Sequence, residues 1–530
     1  MGTAHVDTFA RDHLPPRSAW PELRFELPEL RYPERLNAAP ALLGGPDFAE
    51  RPCVVAGDAT WTYADLRARA ERVARALVDE EGLVPGNRVL LHGPNTAELA
   101  ACWFGILLAG GVVVATMPLL RAGELAKVIA KAQISHALAD ARVAAEVRRA
   151  AEAEPVLRSV REYGDEGAFG EGSFDAVETA ADDVALIAFT SGTTGEPKGC
   201  VHFHRDVLAI CDTFARRVLR PRADDVFTGT APLAFTFGLG VLVLFPMRFG
   251  ASFVPIPQPS MDAVVEAVER HSVTTLSTAP TMYRALLRDA DFGRLASLRA
   301  CVSAGEPLPA PVASAWTDRT GVRIIDGIGS TEMLHIFIAA PAEAARPGSV
   351  GTPVPGYEAA VLDESMRPVP AGTVGRLAVR GPTGCRYLDD PRQAEYVVEG
   401  WNVTGDAFRV DEDGYFWFAA RNDDLIVSSG YNISPLEVEA ALLQHDAVAE
   451  CAVVASPDDE RGHVVKAFVV VAGDAAAGDE LAAALQQHVK DRIAPYKYPR
   501  RIAFVDALPR TPTGKIQRSV LREREAATAV

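Results

Sequence analysis

Val184-Ala185-Leu186-Ile187-Ala188-Phe189-Thr190-Ser191-Gly192-Thr193-Thr194-Gly195-Glu196-Pro197-Lys198-Gly199 is the stretch around which the chain is organised. An apolar run of strand length, residues 184–188, breaks into small, hydroxylated and glycine-rich residues, which reads as a strand feeding a loop. Such a loop suits polyphosphate. Glycines let backbone N–H groups approach closely, the hydroxyls of Thr190, Ser191, Thr193 and Thr194 add neutral donors, and Lys198 adds a point charge. It is not a Walker A loop, which needs Gly directly before its Lys, because Pro197 stands there. A Gly/Ser/Thr run by itself reads more readily as a solvated surface loop, so its meaning rests on the order of its residues and on what accompanies it.

That order resembles the phosphate loop of the adenylate-forming superfamily, which includes acyl-CoA synthetases, luciferases and adenylation domains. Matches continue downstream, so the resemblance covers nearly the whole chain. Phe235-Thr236-Phe237-Gly238 and Gly327-Ile328-Gly329-Ser330-Thr331-Glu332-Met333-Leu334-His335 look most like the aryl-CoA ligase branch, in particular benzoate and 2-aminobenzoate CoA ligases.

Composition sets the bounds. A chain of 530 residues is too long for one ordinary core, and its apolar and charged fractions are those of a soluble globular protein. The formal charge of −17 argues against nucleic acid or an anionic membrane as partner. It also means that a site for ATP or CoA must concentrate Lys and Arg locally. The seven cysteines are scattered without a CxxC pair, which suggests neither a zinc site nor a disulfide framework, and buried reduced thiols in a cytoplasmic protein are expected. The amino terminus lacks a basic region followed by an apolar one, so secretion is not expected. Residues 99–120 contain no charged residue and have about the length of a membrane span. Gly110-Gly111 splits that stretch and Pro118 ends it, so it reads as a core helix followed by a buried parallel strand.

From Trp61 the pattern alternates helix and strand: helices over 63–80, 96–108 and 123–133 and from Val143, with strands over 88–91, 112–114 and 136–139. After the glycine loop the same unit repeats, with helices over 206–219 and 261–271 and strands over 274–276, 300–308 and 323–329, the last two ending in glycine turns. Two strands whose carboxyl ends carry glycine and polar residues are where α/β sheets place ligands. Residues 351–421 turn strand-rich. The predicted fold is α/β: a large N-terminal domain of mostly parallel sheets plus a small β unit over 1–421, then a small α+β C-terminal domain over 422–530.

The resemblance assigns roles residue by residue. It implies a ligase that uses ATP and Mg²⁺ to activate an aryl acid as its acyl-adenylate, with release of pyrophosphate, and then passes it to CoA. It implies that Thr331 donates to the α-phosphate, Glu332 helps hold Mg²⁺, and Lys198 with residues Thr190, Ser191, Gly192, Thr193, Thr194 and Gly195 meets the polyphosphate. Gly305, Glu306 and Pro307 with Asp326, Gly327 and Ile328 would frame adenine, and Asp406 with Arg421 nearby would take the ribose. Lys515, in Pro-x-x-Pro-x-Gly-Lys-Ile-x-Arg, matches the family's adenylation lysine, placed to bridge carboxylate and phosphate as charge redistributes. Phe235, Thr236, Phe237, Gly238, Gly329 and His335 would form the acyl pocket. Asp423 falls at the hinge about which the small domain turns, and Ser429, Gly430 and Tyr431 would line the pantetheine tunnel.

Departures from the family pattern are informative. Ile328 stands where many relatives carry an aromatic ring against adenine, Phe235 where many carry His, and Val427 replaces a lysine common in other branches. The expected partners are a small aryl acid, ATP and CoA, with no nucleic acid and no membrane, in a cytoplasmic monomer or homodimer. Three alternatives stay open: a stand-alone adenylation protein loading a carrier protein, a CoA ligase for another aryl or medium-chain acid, and a non-catalytic nucleotide or acyl-adenylate sensor. Joint retention of Thr331, Glu332 and Lys515 argues against the sensor.

Overall fold

The computed structural model describes all residues except 1, 45, 166, 191–196, 422, 423, 425, 429, 430, 459–461, 474, 475, 494–496, 511–515, 529 and 530. The chain forms two compact units: residues 1–359 with 379–402, and residues 360–378 with 403–530. The boundary expected after Arg421 falls inside the second of these.

The first unit is built on two sheets. A six-stranded sheet runs in the spatial order Ser159–Tyr163, His136–Asp140, Arg88–His92, Val112–Thr116, Val184–Thr190 and Lys198–Phe203. Its neighbours are parallel except the last pair, which is antiparallel. The stretch that looked like a membrane span is the helix Ala97–Leu108, buried on all sides, followed by the strand Val112–Thr116 at the sheet's centre. No helix among the described residues is long and apolar enough to cross a membrane. Helix Tyr63–Arg75, opened by a capping box between Thr62 and Asp65, packs on Ala97–Leu108 at a crossing tight enough that a Cβ on Gly105 would lie 2.5 Å from Val73.

The second sheet has nine strands, of which Ile324–Gly329, Ala300–Ser303, Thr275–Thr278, Val226–Gly229, Ser252–Phe253 and Pro52–Ala56 are parallel to their neighbours in that order. Antiparallel strands flank both ends, Ile336–Ala339 and Thr352–Pro353 on one side and Ala59–Thr62 on the other. Its interior cluster includes Trp316, Tyr283, Leu276 and Ile324, and is nearly all apolar, as a sheet covered by helices on its faces requires.

Two sequence expectations need correction. Lys198 does not lie in the loop after Thr190: it opens the strand Lys198–Phe203, paired with Thr190 across a hairpin, because the apolar alternation that follows it can bury against the strand Val184–Thr190. Gly327, Ile328 and Gly329 likewise do not form a turn. They continue their strand, antiparallel to Ile336–Ala339, with an irregularity at Ile328/Gly329. A glycine there avoids a clash, since a Cβ on Gly329 would sit 2.6 Å from the carbonyl oxygen of His335.

In the second unit residues 406–410 pair antiparallel with Phe416–Arg421, and the long antiparallel pair Val448–Asp458 with Gly462–Val471 is extended by the parallel strand Arg501–Phe504. Helices Pro435–Leu442 and Asp479–Lys490 cover that sheet over a core of Val438, Leu442, Val453, Val469 and Leu485. All seven cysteines are free and buried.

Candidate active site

Strand periodicity arranges the site in the first unit. Along Lys198–Phe203 side chains alternate, so Lys198 and His202 share one face while Val201 and Phe203 take the other. On the free edge of this strand lies the extended segment 386–388: Val201 N–H donates to the Arg386 carbonyl at 2.8 Å, and Leu388 N–H to the Gly199 carbonyl at 2.8 Å. The same alternation sends Tyr387 toward Lys198 and Arg386 toward Phe203.

The turn carrying Thr331 and Glu332 sits against that face. His202 Nε2 donates to the Thr331 carbonyl at 2.8 Å, and the Thr383 hydroxyl donates to the Met333 carbonyl at 2.8 Å. Leu334 holds φ of +68°, a left-handed conformation that costs a branched residue of order 1–3 kcal/mol and is kept because both carbonyls are fixed. Glu332 is buried to 7% exposure, and Tyr387 donates to its Oε1 at 2.5 Å. Lys198 Nζ lies 3.2 Å from the Tyr387 oxygen. Burial, then the neighbouring Glu332 carboxylate, pushes the Tyr387 phenol well above its ordinary value, so it stays a donor. The Thr190 hydroxyl is sealed from water with no hydrogen-bond partner among the described residues, an unspent donor at the end of its strand.

Among the described residues no three His, Cys, Asp or Glu side chains form a metal cluster. A Mg²⁺ ion at Glu332 would therefore complete its shell with phosphate oxygens and water, the way Mg²⁺ accompanies nucleotides, and a single buried carboxylate beside Lys198 fits that use.

At the carboxyl ends of the nine-stranded sheet, Ser303 and Asp326 are register partners. Asp326 Oδ1 is sealed and without a hydrogen-bond partner among the described residues, and burial pushes the carboxyl up to about 8. Gly305 adopts φ of +87° with open space around it, and Glu306 accepts a hydrogen bond from Thr281 at 2.8 Å. Ile328 faces Ile338 across the ladder. The neighbouring 310 Å³ cavity is lined by Asp326, Leu308, Thr317, Arg323 and Ser349.

His335 is 2% exposed, and neither ring nitrogen has a hydrogen-bond partner among the described residues. Aromatic rings surround it, Phe245 at 4.6 Å, Phe214 at 5.4 Å and Phe237 at 5.7 Å between centroids. Burial pushes its pKa down to about 3, so the imidazole is neutral. Gly240 makes room for it: a Cβ there would lie 2.4 Å from His335 Cδ2. Phe237 and Gly238 sit in the short helix Thr236–Leu239, whereas Phe235 at its N-cap is 44% exposed. The loop before it is held by Asn95, which donates to the Ala231 carbonyl at 2.9 Å and accepts from Leu233 N–H at 2.7 Å.

In the second unit Asp406 and Arg421 are direct cross-strand partners. Tyr431 begins a strand, Tyr431–Ile433, that pairs with Ile426–Ser428. Ser191, Gly192, Thr193, Thr194, Gly195, Asp423, Ser429, Gly430 and Lys515 lie outside the described residues. Both flanks of residues 511–515 are anchored: Arg510 bridges Ile516, and Arg518 makes a forked ion pair with buried Glu439 at 2.7 and 2.9 Å.

Residues 46–386 match the model of the AMP-binding enzyme family, and residues 437–515 match that of the AMP-binding enzyme C-terminal domain. The chain belongs to this adenylate-forming family. It is 37% identical over 512 residues to benzoate–CoA ligase of Thauera aromatica, covering 93% of this chain and 97% of that one. The crystal structure of the anthranilate CoA ligase AuaEII in complex with anthranoyl-AMP superposes with a TM-score of 0.87 at 34% identity, over 95% of this chain and all of that one. Mouse mitochondrial acyl-coenzyme A synthetase ACSM3 is 34% identical over 491 residues, 88% of this chain and 85% of its own. As a family member the chain is an AMP-forming acid–CoA ligase with an ATP site.

Sequence reading did not find Tyr387, His202, Phe214, Phe245 or Gly240. Tyr387 carried one usable signal: Arg386 inside the run Gly384-Cys385-Arg386-Tyr387-Leu388 is a charge in an apolar setting, which implies a buried partner.

Proposed function

We propose that this ligase activates a planar aromatic carboxylic acid of the benzoate or 2-aminobenzoate type and transfers the acyl group to CoA. The observation that carries the proposal is the aromatic box of Phe214, Phe237 and Phe245 around neutral His335, which directly follows the turn bearing Thr331 and Glu332. Ring faces and edges favour a flat ligand, and a neutral imidazole avoids neutralising the reacting carboxylate. Similarity to a benzoate ligase and to an anthranilate ligase supports the same substrate class.

In this reading Thr190 and Lys198 take the polyphosphate, and Thr331, with its carbonyl fixed by His202, presents its hydroxyl to the α-phosphate. Glu332 would hold Mg²⁺, whose charge, when bound, would offset that of the phosphates. Asp326 accepts from the adenine exocyclic amine, Asp406 takes the ribose, and Lys515 bridges the attacking carboxylate and phosphate. Thioester formation follows with Ser429, Gly430 and Tyr431 along the pantetheine path and Asp423 as the pivot.

Similarity to the mitochondrial acyl-coenzyme A synthetase supports a second reading, a medium-chain acid in the same pocket. Product analysis tests the acceptor: incubation with ATP, Mg²⁺, benzoate and CoA should accumulate benzoyl-CoA. A hydroxylamine-trappable adenylate with no thioester would move the chain to carrier-protein loading.

A further inference from the structure

Tyr387 lies far in sequence from both Lys198 and the Thr331–Glu332 turn, yet its hydroxyl is where the Lys198 ammonium and the Glu332 carboxylate meet. A carboxylate only accepts and an ammonium only donates, so the phenol proton points to Glu332 Oε1 at 2.5 Å and its oxygen receives Lys198 Nζ at 3.2 Å. The ring cannot swing away. It is 1% exposed, it stands edge-on to Tyr396 at 5.8 Å, and its backbone is pinned by the bridge to Cys200 and by N–H donation to buried Gln393 at 2.9 Å.

We propose that Tyr387 is a positioning residue for the metal–phosphate site: its hydroxyl holds Glu332 and Lys198 apart, each aimed for use before nucleotide binds. With the hydroxyl removed, the buried carboxylate and the ammonium that this oxygen bridges among the described residues would close into a direct ion pair. Metal and phosphate would then have to break this pair to reach their ligands. The inference rests on the reading of Glu332 as a Mg²⁺ ligand and Lys198 as a phosphate ligand.

The test is calorimetric binding of ATP to the full chain with and without Mg²⁺, for the wild type, Tyr387→Phe, Glu332→Gln and the double variant. Tyr387→Phe keeps the buried ring, and thermal melts verify folding. The factor by which Mg²⁺ strengthens ATP binding should fall about tenfold in Tyr387→Phe, the scale of a hydrogen bond to a charged group, and the double variant should be no worse than Glu332→Gln. In turnover the concentration of Mg²⁺ needed for half-maximal pyrophosphate release should rise while the rate at saturating metal changes less. An unchanged metal effect in Tyr387→Phe alongside a reduced one in Glu332→Gln overturns the positioning role, as do losses that multiply in the double variant. Absence of a metal effect in the wild type overturns the reading of Glu332 itself and the inference with it.

Discussion

The guanidinium of Arg386 and the carboxylate of Asp206 meet at 2.8 Å with both side chains wholly withdrawn from solvent. Phe203 and Trp20 flank the guanidinium at 4.1 and 5.3 Å, and the same carboxylate oxygen accepts from Phe203 N–H and lies 3.9 Å from His202 Nδ1. Because Tyr387 follows Arg386 and His202 anchors Thr331, this pair braces two segments that reach the site.

Removing one partner leaves a buried charge without compensation. Arg386→Met should cost about 3–5 kcal/mol, whereas Arg386→Met with Asp206→Asn should recover much of the loss. Urea unfolding of the two variants measures it. Equal destabilisation by the single and double changes would show that the pair is not coupled.

Asp326 gives the site a pH signature. Its folded value, about 8, stands above its ordinary 3.8, so the folded chain retains a proton that the unfolded chain releases. Its contribution to stability is complete below about pH 4 and lost as pH rises to about 8. Asp326→Asn should flatten unfolding midpoints across that window and gain most over the wild type at its alkaline end. A parallel slope in both proteins would contradict the raised value.

Much of this was legible in the sequence where a signal repeats along the chain. Alternation of apolar runs with amphipathic stretches predicted the parallel sheets, and Gly110-Gly111 with Pro118 separated a buried helix and strand from a membrane span. Lys198 was misplaced because its antiparallel pairing with Thr190 is a strand contact that the glycine-rich order does not announce. Tyr387 and Arg386 were missed because strand-edge pairing to Val201 and Gly199 is a long-range event with no local pattern. Phe214 lies in the wide helical turns Cys211–Leu219, whose period departs from the 3.6 used to read helix faces.

Gly240 sets the position of His335. Gly240→Ala would place a methyl 2.4 Å from the imidazole, so the ring must shift toward the aromatic box. The expected outcome is a loss of roughly tenfold in kcat/KM for aromatic acids with ATP affinity intact, read from steady-state kinetics and nucleotide titration. Unchanged kinetics for benzoate would remove His335 from the acyl site.

Lys515→Ala should separate the half-reactions. Adenylate formation should fall by about a hundredfold or more, the scale for removing one electrostatic stabiliser, while thioester formation from pre-made benzoyl-adenylate survives. Parallel loss of both steps would contradict separate roles for the two faces of the small domain.

Pyrophosphate release from subsaturating benzoate, 2-aminobenzoate and octanoate, with ATP, Mg²⁺ and CoA at fixed concentration, compares the acids directly. The aromatic box predicts kcat/KM for at least one of the two aromatic acids about tenfold or more above that for octanoate. Octanoate turned over as well as or better than both would contradict the assignment of the pocket to aromatic acids.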